Sequence, residues 1–332
     1  MVAQIDLPYL RMSRAKVLSR LFIYTFVEGR PLTTRGRWIN PLVFAEFTIF
    51  KHLPQLKSVD SPIYLLGTGR NGSTLLGKVL SLHSSVCFLN EPKALWHSVY
   101  PYADVLGNYS DAPARFELQA NDASDNVQKK TCRLYAFALR VTASDRILDK
   151  NAESVFRTSF IRAIFPDARF LFLMRNGHDV VNSVAQWSRS HGRTGESGEI
   201  NNWWGKNQRK WNILVDELVS KDEDLHPFID NIKRFQSQHD RAAVEWILTA
   251  KKGRKLLQED RENTHLVRYE DFLEQPNATL DGIFRFCSLP ADKKVYFYAQ
   301  KTIRKSHNRE RVSLSPIIEP TFNRVLYEYG YD

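Results

Sequence analysis

The stretch GTGRNGSTLL, residues 67–76, has the residue types and spacing of an anion-binding loop. Gly67, Gly69 and Gly72 satisfy G-x-G-x-x-G, the loop that lets a backbone approach a dinucleotide pyrophosphate. Gly67 and Gly72, followed by Ser73 and Thr74, nearly complete G-x-x-x-x-G-K-[ST], the P-loop of nucleotide triphosphatases. Ser73 stands where that loop has its lysine. A triphosphatase needs the lysine at the β- and γ-phosphates and a carboxylate to place Mg²⁺. Here the strongest apolar strand ends in Met174-Arg175, and Asp149 is only a weak match for the acid. A dinucleotide site wants an acid about 20 residues on. Glu91 lies 19 residues past Gly72, but directly before a proline. The loop alone leaves a plain turn and a phosphate site equally open.

A second segment bears on the choice. The apolar run Ala168–Met174 ends in Arg175, and Ser183 follows eight residues later in R-N-G-H-D-V-V-N-S. At the carboxyl end of a strand, Arg175 would sit beside the glycine loop, where open α/β sheets bind ligands. Ser183 would lie two turns into the next helix. Arg175 and Ser183 can clamp a second phosphate on the same nucleotide. By itself this segment also reads as a surface arginine and a helix serine.

Together the two segments resemble the sulfotransferases that use 3′-phosphoadenosine 5′-phosphosulfate (PAPS) and release PAP. The resemblance runs from about Pro62 to Cys287 and includes VRYEDFLEQP (267–276). It is nearest to the branch holding the protein-tyrosine and bacterial sulfotransferases. It implies that Gly69, Arg70, Asn71, Gly72, Ser73, Thr74 and Leu75 hold the 5′-phosphosulfate, and that Arg175 and Ser183 hold the 3′-phosphate. Asn71 stands where Ser or Thr is commoner in the family. The missing lysine then accords with a phosphosulfate rather than a magnesium triphosphate, and no metal is expected.

Sulfuryl transfer is an in-line displacement that needs a base for the acceptor and positive charge at the sulfonate and leaving oxygen. Glu91, 21 residues after Arg70 in L-N-E-P, matches the base of the tyrosine-sulfating relatives. Its plainer role is to cap a helix at Pro92. His83 and His97 are rival bases. Lys150, in L-D-K-N, matches the family lysine at the leaving phosphate oxygen, or is a solvated strand-end lysine. Arg70 would contact the transferring sulfonate. Lys305, with Arg304 and Arg309 in the basic tail, either folds over the nucleotide or is ordinary surface charge. Trp203, Trp204 and Trp211 either line an acceptor cleft or belong to the core.

The elements that must position these residues are short apolar runs alternating with helical patterns. PIYLLG (62–67), Val86–Leu89, Arg146–Asp149, Ala168–Met174 and His265–Val267 read as strands. Helices are expected over 12–28, 40–52, 73–82, 153–164, 178–188, 203–218, 231–258 and after Pro276, with Asn40 as an N-cap before Pro41. Residues 104–130 read as loop with some helix, and 189–202 as a polar lid. The alternation predicts an α/β fold, a mostly parallel sheet with helices on both faces. The resemblance makes this a three-layer P-loop-like fold. Residues 1–58 are expected to be a basic helical extension and 59–332 the sulfotransferase domain.

Composition sets outer limits. A chain of 332 residues with 43% hydrophobic and 25% charged content suits a soluble α/β protein. The net charge is +10, and residues 1–58 hold nine Lys/Arg against three Asp/Glu. That balance favours anionic partners. It allows peripheral membrane contact through residues 12–52, or packing of those helices on the domain. No basic–aromatic motif points to nucleic acid. Three scattered cysteines suggest a reducing compartment. The absence of a signal or a spanning segment leads to the expectation of a cytoplasmic enzyme. The acceptor stays open among glycan, lipid, peptide tyrosine and small metabolite. A P-loop kinase or nucleotide hydrolase and a non-catalytic nucleotide-binding scaffold are the competing readings.

Overall fold

The computed structural model describes residues 3–195, 198–304 and 310–331. Its centre is a five-stranded, all-parallel sheet in the order β2-β3-β1-β4-β8. The strands are β1 (Ile63–Leu66), β2 (Val86–Asn90), β3 (Arg146–Lys150), β4 (Arg169–Met174) and β8 (Thr264–Arg268). Alternate residues of β1 enter different cores. Tyr64 and Leu66 join Phe170 and Phe172 on one face, and Ile63 and Leu65 join Leu171 and Leu173 on the other. Successive strand side chains point to opposite faces, so a strand covered on both sides must be apolar throughout. The runs IYLL and RFLFLM meet that demand.

A parallel sheet puts every strand's carboxyl end on one edge. Here β1 runs into the glycine loop, β2 into Asn90-Glu91, β3 ends at Lys150, β4 leads to Arg175, and β8 leads to Tyr269. Registers Leu65↔Lys150 and Asn90↔Lys150 bring the first three of these side by side.

The N-terminal helices α1 (Leu7–Met12), α2 (Arg14–Phe26) and α3 (Asn40–Phe50) pack on this domain, with Tyr9, Ile23, Val27, Val43 and Phe47 buried in its cores. The helix expected over 12–28 is α2, Arg14–Phe26, capped by the Ser13 hydroxyl, and α1 is a separate short helix before it. Side chains of α2 and the turn after it cover edge strand β2. Lys16 Nζ donates to the Val86 carbonyl (2.9 Å) and Arg20 to that of Phe88 (3.1 Å), while Glu28 accepts from the Asn90 N–H (2.6 Å). These are every second residue of the strand's free edge, which would otherwise be open to pairing with another chain. Lys16 and Arg20, read in sequence as part of a basic helix face, are therefore buried.

Other expectations need adjustment. Asn40 opens α3 but does not cap it, because its amide is bonded both ways to the Arg30 backbone (2.8 and 2.9 Å). Residues 152–157 form a 3₁₀ segment before the helix Thr158–Ile164. The helix expected at 203 starts at Arg209, since Gly205, Asn207 and Gln208 take left-handed conformations. The long helix expected over 231–258 is two, Ile229–Lys233 and Gln238–Glu259, the second capped by Ser237. In place of a lid loop, β5 (Arg193–Thr194), β6 (Ile200–Asn202) and β7 (Gly205–Lys206) form a small antiparallel sheet. Among the described residues no helix is long and apolar enough to cross a membrane.

Candidate functional site

Between β1 and helix α4 (Ser73–Leu80) the glycine loop makes a sharp turn with Gly72 at φ +96°. A Cβ on Gly72 would lie 2.2 Å from the Tyr269 ring, and one on Gly69 would lie 2.3 Å from Trp203. Both positions exclude a side chain, so the loop is seated between two aromatic rings. Asn71 holds the turn from behind. It is fully buried, donating to the Leu173 carbonyl (2.8 Å) and accepting from the Ser73 N–H (3.0 Å). Expected among the donor contacts, Asn71 instead spends its side chain on the loop's own shape and does not line the cavity in front of it.

That cavity, of about 560 Å³, is lined by Gly69, Arg70, Gly72, Ser73, Thr74 and Leu75 from the loop, and by Glu91, Lys150, Arg175 and Ser183 from elsewhere. The two segments expected to bind anions converge here. Arg70 Nε donates to Ser183 Oγ (3.1 Å), and Arg175 donates to the Arg70 carbonyl (3.2 Å). Arg175 also pairs with Asp179 (3.2 Å) and lies over the Tyr269 ring, 4.7 Å from its centroid. The Arg175 Nε is buried with no partner among the described residues. Burial and the neighbouring Arg175 lower the pKa of Arg70, partly opposed by Glu91.

At the next strand ends, the Lys150 ammonium is bonded to the Glu91 carboxylate. Lys150 is buried, whereas Glu91 is 42% exposed to the cavity. Glu91 itself has φ +55°, a conformation L-residues rarely hold without support. Its N–H donates to the Lys150 carbonyl (2.7 Å), and its carbonyl accepts from the Lys93 N–H (2.6 Å). Burial would raise the Glu91 pKa, but Lys150 and Lys93 outweigh it and hold the carboxyl well below its usual range. Lys93 reaches both Glu91 (3.6 Å) and Glu153 (3.2 Å). Lys210, paired with Glu245 at 2.5 Å, lies 4.8 Å from the Trp203 ring centroid.

The rival residues lie elsewhere. Asp149 is buried on the far side of β3, where it accepts from Tyr135 (2.6 Å) and Trp96 (2.9 Å), and burial pushes its pKa up to about 7. It is not among the residues that line the cavity in front of the loop. His83 Nε2 meets the Pro290 carbonyl (2.8 Å), and His97 packs on Phe44 and Tyr109. Neither lines the cavity. Of the three tryptophans, Trp203 lines it, while Trp204 and Trp211 are wholly buried. Lys305 and Arg309 lie outside the described residues. Arg304 donates to the carbonyls of Lys301 and Ile303.

Several lining residues were given no site role by the sequence, although Tyr269 lies within VRYEDFLEQP. Tyr269, Lys93 and Lys210 belong to no phosphate motif. The strap Glu28–Thr34 comes from the N-terminal region and closes one side of the cavity. The paired hydrogen bonds between Arg30 and Asn40 hold it there. Among the described residues no group of His, Cys, Asp or Glu is placed to hold a metal ion.

The model of the Sulfotransferase family matches residues 62–229. No curated protein matches the chain. Among solved structures, sulfotransferase STF1 from Mycobacterium tuberculosis aligns at 13% identity over 96% of this chain and 93% of its own, with a TM-score of 0.48. STF9 from Mycobacterium avium aligns at 14% identity over 98% and 95%, with a TM-score of 0.47. Mouse SULT7A1 complexed with PAP aligns at 12% identity over 85% and 89%, with a TM-score of 0.38.

Proposed function

Since the chain belongs to the sulfotransferase family, we propose that it transfers the sulfuryl group of PAPS to an acceptor hydroxyl or amine and releases PAP. The observation that carries this reading is the meeting of Arg70, Arg175 and Ser183 in one cavity with the Glu91–Lys150 pair. Two cationic positions beside a glycine turn suit a nucleotide with phosphate at both ends of its ribose. Arg175, which lines the cavity over the Tyr269 ring, is the cation offered to the 3′-phosphate. The loop backbone and Arg70 receive the 5′-phosphosulfate, whose activated S–O bond supplies the chemistry.

Glu91 takes the acceptor proton, and Lys150 neutralises the leaving phosphate oxygen. In the ligand-free chain these two groups hold each other. Lys150 must exchange the Glu91 carboxylate for the phosphate, and that exchange removes the nearest charge holding the Glu91 pKa down. The base therefore strengthens when the donor is in place. Asp149, bound to Trp96 and Tyr135, argues against a magnesium-dependent kinase or hydrolase. The built acid–base pair argues against a bare scaffold.

The test is thermal unfolding with PAP, with ATP and Mg²⁺, or with NAD, in wild type and Arg175→Ala. A ligand at about 100 times its Kd adds roughly 2.7 kcal/mol to the folded state. A rise with PAP that Arg175→Ala abolishes supports the reading; a rise with ATP–Mg²⁺ or NAD alone overturns it.

A second reading concerns location. Leu18, Trp38, Leu42 and Ile49 of the N-terminal region are all more than half exposed, and Arg11 and Arg14 are exposed near Leu18. Exposed apolar groups with basic neighbours favour peripheral contact with an anionic membrane.

A further inference from the structure

Arg175 stands where β4 leaves the sheet, and the last paired position before it is Met174↔Arg268. Past that point the backbone is held through one peptide unit, the one joining Arg175 to Asn176. Its carbonyl accepts from the Trp246 indole N–H (3.2 Å), and its N–H donates to Glu270 Oε1 (2.9 Å). A peptide unit is planar, so bonds at both of its polar ends fix the plane and the direction in which the Arg175 side chain departs.

Both anchors come from other helices, Trp246 from Gln238–Glu259 and Glu270 from Tyr269–Glu274. Trp246 is buried and packs on Phe322, with ring centroids 5.0 Å apart. Glu270 is only half-buried, and a second bond fixes its carboxylate: Oε2 accepts from the Tyr331 hydroxyl (2.8 Å). Tyr331 is buried in turn. Its N–H donates to the Leu326 carbonyl (3.0 Å), and the Arg268 guanidinium lies 4.6 Å from its ring centroid. Burial and the Glu270 carboxylate push the Tyr331 pKa up, which keeps the hydroxyl a donor.

Adjacent residues of one helix therefore locate two parts of the same arginine. The Tyr269 ring carries the Arg175 guanidinium, and Glu270 holds the peptide behind it. A long side chain turns a small tilt of its peptide into a larger displacement of its head. Paired hydrogen bonds to a phosphate demand a set geometry, and a binding constellation has to be held within about 0.5 Å of it.

The inference rests on the proposed function, in which Arg175 is the cation for the nucleotide's 3′-phosphate. We propose that Glu270 and Tyr331 are positioning residues for that phosphate, acting through the Arg175–Asn176 peptide. Neither lines the cavity, so their effect reaches the nucleotide through Arg175.

The experiment compares PAP with adenosine 5′-phosphate, which is PAP without its 3′-phosphate. Both dissociation constants are measured by calorimetry on wild type, Tyr331→Phe, Glu270→Ala and Glu270→Gln. Their ratio isolates what the 3′-phosphate adds. In Tyr331→Phe and Glu270→Ala the preference for PAP should fall about two- to tenfold, the range spanned by one neutral hydrogen bond, while adenosine 5′-phosphate binds as in wild type. Glu270→Gln should restore the preference, because an amide oxygen can accept from the Asn176 N–H and its NH₂ can donate to the Tyr331 oxygen. A preference unchanged in Tyr331→Phe or in Glu270→Ala overturns the assignment of that residue. An equal loss for both nucleotides also overturns it, since the change then acts through Tyr269 and the glycine loop rather than through Arg175. Should Glu270→Ala fail to fold, Tyr331→Phe, which loses a single hydroxyl, decides. Wild type that binds the two nucleotides equally sinks the 3′-phosphate role of Arg175 itself, and so is told apart from a failure of the positioning residues.

Discussion

Glu91→Gln separates the chemistry of the site from its architecture. The amide keeps the shape of the carboxylate but takes no proton and carries no charge for Lys150. A positioned base contributes about 10²–10⁴-fold, or roughly 2.7–5.5 kcal/mol of barrier. The same change also touches stability. Lys150 is 4% exposed and Glu91 42%. Removing one partner of a fully buried pair costs about 3–5 kcal/mol, and of an exposed pair about 0–1. This half-exposed pair is expected to fall between, at about 1–2 kcal/mol. The pH dependence has a definite sign. The Glu91 pKa lies below its ordinary value of 4.5 in the folded chain. Its contribution is therefore complete above pH 4.5 and is lost as pH falls toward the folded value. Wild-type and variant unfolding curves, apart at pH 7, should converge below pH 4.5. Turnover is followed with labelled PAPS at saturating acceptor, next to the PAP-induced midpoint shift. Turnover should drop by a factor of about 100 or more while the PAP shift persists. A variant that binds PAP and turns over within about threefold of wild type would refute the assignment of Glu91 as base.

Three further outcomes are expected. Arg20→Met breaks a buried pair with Glu28 (2.6 Å) and frees the Phe88 carbonyl, so it should cost about 3–5 kcal/mol in denaturant unfolding; a loss below about 1 kcal/mol would show that α2 does not hold the sheet edge. Gly72→Ala puts a Cβ against Tyr269 in a left-handed turn and should abolish the PAP shift while the chain still folds; a retained shift counts against the seated loop. Wild type should sediment with vesicles rich in anionic lipid, and Leu18→Glu with Leu42→Glu should not; wild type that stays in the supernatant rules out the peripheral reading.

The sequence by itself determined the strands, the glycine turn, and the positions of Arg70, Arg175, Ser183, Glu91 and Lys150. Those signals are local. A strand buried on both faces must be a short apolar run, a turn that admits no side chain must be glycine, and a parallel sheet brings all its strand ends to one edge. The sequence misled where a local pattern met a backbone exception. Trp203 and Trp204 stand at helical spacing from Trp211, yet left-handed residues at 205, 207 and 208 delay the helix to Arg209 and leave Trp203 against the loop. Asn71 sits in the loop by sequence but faces away from the cavity, because its amide meets a β4 carbonyl that only the folded sheet supplies. Tertiary structure alone decided the rest. Lys16 and Arg20 have the composition of a solvated basic face, and they are buried because β2 is an edge strand with unpaired carbonyls. The strap Glu28–Thr34 reaches the cavity because Asn40 fixes Arg30 and Asn108 accepts from the Leu32 N–H (3.1 Å). A residue's partner some 70 positions away leaves no trace in its own neighbourhood of the chain. The strand ends that line the cavity are therefore legible in the sequence, and the strap and strands that wall its other sides are not.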